Sequence, residues 1–393
     1  MDRPKKGILM IFMSEVAIVY CGSYEYSEVK MAVERGFDLL GGPGVFASPN
    51  EKILLKPNWL SADPPEKCVT THPSVFKAVS EVLQIAGAKL SYGDSPAFQS
   101  PEAAGKRTGI SAIAEELKIP LADFKSGKEV HYSQGHQNKK FTVANGVLEN
   151  DGVISLPKMK THGFQRVTGA VKNQFGCIPG TLKGEFHVKV PDAYNFAKML
   201  VDLNSYINPR LYVMDGIYAM EGNGPRGGTP KKMNVLLFSK DPIALDATMC
   251  RLMNLDPDLI LTNKAGMEMG AGTFLEKDIK ILGDSMENFT AMDFDVNRKP
   301  EIPYKNSGGI KFIKNAITPR PYIVGEDCVK CGVCVSLCPV DPKAVDWHDG
   351  NKNKAPSYRY DRCIRCYCCQ ELCPESAVQI KQPIIRKIFS RTT

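Results

Sequence analysis

The sequence predicts an α/β domain, with a mostly parallel sheet and helices on both faces, followed by a small C-terminal α+β unit. Three observations lead there. Short apolar, β-rich runs alternate with segments of helical period through most of the first 285 residues. Residues 296–322 lack a sustained period and are rich in Pro, Gly and Lys/Arg, which reads as a linker. Nine of the thirteen cysteines then crowd into residues 328–373.

The elements follow in order. Residues 16–21 read as an apolar strand and 26–40 as a helix, with Val29, Val33, Phe37 and Leu40 on one stripe. Residues 53–55 make a short buried strand. A helix over 74–86 is opened by Thr71 and Pro73 and closed by Gly87. A strand at 89–93 and a helix at 111–117 come next, and 141–148 reads as a hairpin insertion. Strands at 153–156, 211–214 and 235–238 then alternate with helices at 192–206 and 242–253. Strand–helix alternation implies right-handed crossovers and a sheet covered on both faces. Residues before Met13 do not join the first strand, so their removal is expected to leave solubility and melting unchanged.

Composition bounds the function. The 393 residues are 43% hydrophobic and 24% charged, with a net charge of +7, too mild and dispersed to argue for nucleic acid. No apolar run reaches the length of a membrane span. The short run at 7–13 has no small-residue cleavage site after it, and a cytoplasmic protein is expected.

The cysteines carry the clearest chemistry. Cys21, Cys68, Cys177 and Cys250 are scattered singly. Cys328, Cys331, Cys334 and Cys338, closed by Pro339, are matched by Cys363, Cys366, Cys369 and Cys373, closed by Pro374. Both quartets have the bacterial ferredoxin spacing, in which the fourth cysteine ligates the other cluster. Two [4Fe–4S] clusters are therefore expected. One takes Cys328, Cys331, Cys334 and Cys373, the other Cys363, Cys366, Cys369 and Cys338. Structural zinc is the competing reading, but zinc takes four ligands, usually as two separated pairs. Cys368 fits no ligand slot and reads as a buried bystander, while Tyr367 replaces the glycine found at Gly332. The chain thus divides into an α/β domain at 14–295, a linker at 296–322, a ferredoxin-type domain at 323–382 and a basic tail at 383–393.

In open parallel sheets, ligands bind at the carboxyl ends of the strands. Lys56 and Asn58 follow one strand, Asp94 a second, Lys158, Lys160 and His162 a third, and Asp215 a fourth. Arg166, Lys172 and Asn173 follow nearby. This argument expects Lys56, Asp94, Lys158, His162 and Asp215 around one shared pocket. Lys160, His162 and Asp94 are the candidate catalytic residues. Lys56, Asn58, His72, Lys158, Lys172, Asn173 and Asp215 are the candidate substrate-binding residues. Asp94 and Asp215 also suit turn or helix caps, and His72 a helix entry. Gly222, Gly224 and Gly227 match G-x-G-x-x-G, but they lead into a strand rather than a helix, so a tight loop rimming the cleft is expected. A phosphate-binding P-loop, a nucleophile elbow and a radical-initiating three-cysteine run are all missing from the sequence.

KPNW at 56–59, THP at 71–73, GDSP at 93–96, KMKTH at 158–162, TGAVKNQFG at 168–176, DGIYAMEGNGP at 215–225 and SKDPIALDA at 239–247 occur in this order. The set resembles the prokaryotic family called domain of unknown function three-six-two, many members of which end in a two-cluster ferredoxin module. The resemblance implies a soluble, anaerobic iron–sulfur protein and carries no general reaction. The expected function is an oxidoreductase, coupling two clusters to an anionic small molecule bound by the α/β domain. The alternative is a non-catalytic electron carrier or docking module for a larger redox partner protein.

Overall fold

The computed structural model describes residues 13–300 and 318–381. The expectations for the first twelve residues, for the middle of the linker and for the basic tail lie outside the described residues. Strand β1 (Ser14–Tyr20) leads into helix α1 (Tyr26–Leu39), then β2 (Lys52–Pro57), α2 (Pro73–Ile85) and β3 (Lys89–Tyr92). Helices α3 (Pro101–Thr108) and α4 (Ile110–Glu116) precede a hairpin of β4 (Gly127–His131) and β5 (Lys140–Ala144), closed by the short α5 (Asn145–Leu148). Next come β6 (Gly152–Leu156), β7 (Lys158–His162), β8 (Arg166–Thr168), α6 (Ala170–Asn173), α7 (Leu182–Lys189) and α8 (Ala193–Ile207). The domain ends with β9 (Leu211–Glu221), β10 (Thr229–Ser239), α9 (Pro242–Leu252), α10 (Leu261–Glu268) and β11 (Ile279–Gly283).

The main sheet runs β11-β1-β10-β9-β6-β2-β3, with β7 and β8 attached beside β9. Neighbours are parallel from β9 through β6 and β2 to β3, whereas β10 is antiparallel to both β1 and β9. Alternate residues feed two cores, as the period of a strand requires. Val16 and Ile18 face one side with α8, α9 and α10, and Ala17 and Val19 face the other with α1, α2 and α4. The helices therefore cover both faces of a mostly parallel sheet.

The C-terminal unit pairs β12 (Arg320–Ile323) with β15 (Val378–Lys381) and β13 (Val345–Asp346) with β14 (Ser357–Tyr358), with helices α11 (Val333–Ser336) and α12 (Cys368–Glu371) between them. The described ends of the expected linker are ordered parts of the two units. Arg298 donates to the carbonyls of Asn254, Met253 and Phe294, and residues 320–323 form β12.

Candidate functional site

A cavity of about 570 Å³ opens where the carboxyl ends of β2, β3 and β7 meet the C-terminal unit. From the α/β domain its wall takes Asn58, Asp94, Lys160, His162, Lys172 and Asn173. From the C-terminal unit it takes Cys338, Cys368 and Glu371. Trp59, Phe175, Leu337 and Leu372 add apolar surface, which suits a small ligand with an apolar body.

Buried polar groups must find partners, and here they do so in a chain. Lys56 Nζ lies 2.9 Å from Asp94 Oδ1, with both side chains buried. Asp94 also accepts from the amides of Trp59 (2.7 Å) and Ser95 (2.8 Å). Asn173 Oδ1 accepts from Asn58 Nδ2 at 2.9 Å, and Lys160 Nζ donates to Asn58 Oδ1 (2.7 Å) and the Val69 carbonyl (2.6 Å). Two close approaches demand glycine. A Cβ at Gly176 would overlap Asp94 Oδ1, and one at Gly169 would overlap Asp246 Oδ1. Asp246 accepts from the amides of Ala170 (2.6 Å) and Val171 (3.2 Å), and so fixes the turn of helix that carries Lys172 and Asn173.

The wall sets four lysines, Lys160, Lys172, Lys183 and Lys189, against three carboxylates, Asp94, Glu185 and Glu371. Burial, then the charges of Lys172 and Lys158, bring Lys160 down to about 7. Burial likewise brings Lys183 to about 7; its ammonium donates to the carbonyls of Ser95 and Ile178 and to Ser95 Oγ. Lys172 is lowered by burial, against the pull of Glu371. Its Nζ has no hydrogen-bond or ion-pair partner among the described residues and sits 4.8 Å over the Phe175 ring. The imidazole of His162 is neutral, pushed well below the ordinary value by burial and by Lys172 and Lys160. Its Nδ1 accepts from the amides of Phe164 (3.0 Å) and Gln165 (3.3 Å), so Nε2 carries the hydrogen. Nε2 lies 3.1 Å from Glu371 Oε1, but out of line, so that buried oxygen makes no hydrogen bond. Burial raises the Glu371 carboxyl, with Lys172 and Lys160 opposing.

The shared pocket expected from the strand ends is only partly assembled. Asp94 and His162 reach the wall; Lys56 stands behind Asp94. Lys158, Asp215 and His72 belong to a separate closed network. Lys158 Nζ donates to Asp215 Oδ2 (2.8 Å) and Tyr24 Oη (2.7 Å), and Tyr24 donates to Asp215 Oδ1 at 2.9 Å. The reason is an irregularity in β7, where Lys158 pairs with Asp215 but Lys160 pairs with Met220, five residues further along β9. His72 stacks on Tyr24 and caps α2, accepting from Ser74 N at 3.2 Å, and burial lowers it to about 4. Arg166 also lies elsewhere, donating to the carbonyls of Asn297 and Lys299. The loop at 222–227 rims the cavity through Pro225 and grips the C-terminal unit, since Gln370 Nε2 donates to Asn223 Oδ1 at 2.8 Å.

Sequence reasoning missed Lys183, His187 and Glu371. Lys183 lies on α7, whose sequence has little apolar period. His187 stacks on Phe196 with ring centres 4.6 Å apart and is held neutral, at about 3, by burial. Glu371 was hidden inside the second cysteine run, where only its position two residues after Cys369 marked it as buried.

The cysteines suit clusters rather than single ions. A small pocket is lined by Cys328, Cys331, Cys334 and Cys373, which joins the first three thiols of one run to the last of the other. Among the described residues no three Cys, His, Asp or Glu side chains converge tightly enough for one metal ion. A cubane spreads its thiolates over a wider box than one tetrahedral zinc. The turns between ligands are alike in both runs, with Lys330 and Gly332 matched by Arg365 and Tyr367 at positive φ (60°, 76°, 65° and 61°). Cys363, Cys366 and Cys369 are near neighbours. Cys338 Sγ accepts from Ala344 N at 3.4 Å.

Fold and cysteines together define an α/β protein with a C-terminal iron–sulfur unit. Residues 53–251 match the family described as Domain of unknown function (DUF362), and the chain belongs to that family. Residues 327–377 match a 4Fe-4S dicluster domain, so the chain binds iron–sulfur clusters. A thylakoid-associated protein of Synechocystis sp. is 36% identical over 259 residues, covering 66% of this chain and 80% of that protein. Among solved structures, the lactate racemase apoprotein of Thermoanaerobacterium thermosaccharolyticum aligns with a TM-score of 0.40 at 13% identity, over 64% of this chain and 59% of that one. A Thermotoga maritima protein aligns with a TM-score of 0.36 at 11% identity, over 63% of this chain and 59% of that one. No helix among the described residues is long and apolar enough to cross a membrane.

Proposed function

We propose that the chain is a ferredoxin-linked oxidoreductase carrying two [4Fe–4S] clusters, acting on an anionic small molecule in the cavity between its two units. The observation that carries this reading is the composition of one wall: Lys160, Lys172 and His162 stand in it together with Cys338. Clusters, when bound, supply electrons one at a time at that wall. One takes Cys328, Cys331, Cys334 and Cys373; the other takes Cys363, Cys366, Cys369 and Cys338.

The residues divide the remaining work. Lys172 pairs with a carboxylate or phosphate, because its ammonium has no hydrogen-bond or ion-pair partner among the described residues and charge-assisted hydrogen bonds are the strong kind. Asn58, itself held by Asn173, holds Lys160 and shapes the floor. Lys160, near 7, and His162 are placed to give or take protons as the bound molecule gains or loses electrons. Asp94 keeps Lys56 paired and orders the 94–97 turn rather than touching the ligand.

A metabolite screen on anaerobically loaded full chain tests this. An anionic compound should raise the melting temperature, and Lys172→Ala should abolish the shift with iron content unchanged. Hits that survive Lys172→Ala, or no anionic hit, would refute the reading. The carrier alternative draws on the exposed turn around Cys331, and it predicts that Lys172→Ala is silent. A cytoplasmic location belongs to the proposal; recovery of the chain with membranes after cell fractionation would replace it with peripheral attachment.

A further inference from the structure

The two ligand sets, Cys328, Cys331 and Cys334 with Cys373 and Cys363, Cys366 and Cys369 with Cys338, sit in unlike surroundings. The first reaches the surface at one side, where Cys331 is exposed and Val329 is 60% exposed, while Cys334 and Cys373 are buried. Exposed carboxylates surround it: Asp327 precedes Cys328, and Glu375 borders the pocket of the quartet. The second quartet faces inward, with Cys338 in the cavity wall. Lys343 Nζ donates to the carbonyls of Ser336 (3.2 Å) and Cys338 (3.1 Å). The buried Arg365 lies beside Cys363, and the Tyr358 hydroxyl donates to Cys369 Sγ at 3.2 Å.

Reduction adds negative charge to a cluster. Hydrogen bonds to its sulfurs and nearby cations favour the reduced form and raise the potential, while nearby carboxylates lower it. Burial of the inner quartet works in the opposite direction. It is opposed at contact range by the hydrogen bonds of Tyr358 to Cys369 Sγ and of Ala344 N to Cys338 Sγ and by Arg365 and Lys343, with Glu371 near Cys366 on the other side of the balance, whereas the outer set has Glu326, Asp327 and Glu375 against Lys330.

We propose that Tyr358, supported by Arg365 and Lys343, holds the inner cluster at the higher potential, so that electrons enter at the exposed 328–331 turn and run inward to the cavity. This rests on the cluster pairing given above. Each transfer moves one electron and neither makes nor breaks a bond. A one-electron donor protein of the ferredoxin or flavodoxin class is oxidised as the outer cluster is reduced. The outer cluster is then reoxidised as the inner one is reduced.

Redox titration of the anaerobic, fully loaded chain, followed by electron paramagnetic resonance with dithionite as reductant, tests it without any cavity ligand. Two midpoints are expected. Tyr358→Phe should lower only the higher one, by about tenfold in its one-electron equilibrium, or ~59 mV. Asp327→Asn, exposed and harmless to folding, should raise only the lower one. If Tyr358→Phe moves the lower midpoint or neither, the proposal is overturned. Should Tyr358→Phe fail to load iron, Asp327→Asn decides alone: a shift of the higher midpoint, or of neither, overturns it. Either result leaves anion binding in the cavity untouched, so the two proposals fail separately.

Discussion

Lys160 offers a test of the cavity electrostatics that needs no ligand. Lys160 is 1% exposed and its pKa is drawn down to about 7, first by burial and then by Lys172 and Lys158. In the unfolded chain an ordinary lysine titrates near 10.4. Between these values the unfolded state binds more protons, so stability must rise with pH through that window. The penalty for holding the charged form is full below the folded value and gone above the unfolded one. Integrating from about pH 7 to about pH 9, this one group contributes ~2 kcal/mol of added stability. Lys160→Met keeps the volume and removes the titration. It also leaves Asn58 Oδ1 and the Val69 carbonyl without their donor, an offset that does not depend on pH. Anaerobic urea denaturation at the two pH values should therefore show the stability of the wild type rising by ~2 kcal/mol relative to the variant as pH rises. Parallel stability curves would show that Lys160 is charged and screened at neutral pH, and that its role as a proton donor is wrong.

Three further outcomes follow from the same geometry. Asp94→Ala leaves the buried Lys56 charge without its counter-ion and should cost about 3–5 kcal/mol in denaturation; adding Lys56→Met should recover the charge part of that loss but not the part from the orphaned Trp59 and Ser95 amides. Gly176→Ala, which drives a methyl into Asp94 Oδ1, should destabilise the fold and weaken anion binding together, whereas Gly184→Ala on the same wall meets open space and should do neither. Iron analysis of loaded protein should find about eight irons per chain. Cys368→Ser should leave that content unchanged, and Cys338→Ser should remove the signal of the inner cluster while sparing the outer one.

Much of the α/β scaffold was legible because its strands and helices bury apolar residues at regular spacing. The helix at Tyr26–Leu39 and the strand at Ser14–Tyr20 fall within a residue or two of the pattern read from sequence. The polar ends of the long hairpin were not. Strands 211–214 and 235–238 extend to Leu211–Glu221 and Thr229–Ser239, since sheet pairing rather than hydropathy carries them to the tip. KMKTH follows the strand read at 153–156, yet all five residues of Lys158–His162 are buried in a strand of their own. Lysines can sit there only because Asp215, Asn58 and a carbonyl meet them, and those partners lie far away in sequence. The shared rim was therefore found in outline, while its division between an open cavity and the closed Tyr24–Asp215 network depended on a strand irregularity that no local pattern records.

Tyr367 explains why the two units act as one. At the equivalent turn of the first cysteine run, Gly332 takes a left-handed φ of 76° without penalty, whereas Tyr367 adopts 61° at a cost of about 1–2 kcal/mol. That strain persists because the ring packs against Phe164 of the α/β domain, with centres 6.4 Å apart, and the hydroxyl donates to the Pro319 carbonyl at 2.8 Å. Arg226 completes the grip: its guanidinium forks onto Asp63 at 2.8 and 3.1 Å and donates to the Leu372 carbonyl at 3.0 Å. Gln370, Tyr367 and Leu372, with Glu371 among them, all lie in the short stretch that also carries Cys366, Cys369 and Cys373. Any motion that separated the units would withdraw Glu371 from His162 and Cys338 from the lysines in a single step. The docking contacts and the second cysteine run therefore share one short stretch of chain, and one side of the cavity wall is present only while the C-terminal unit is seated.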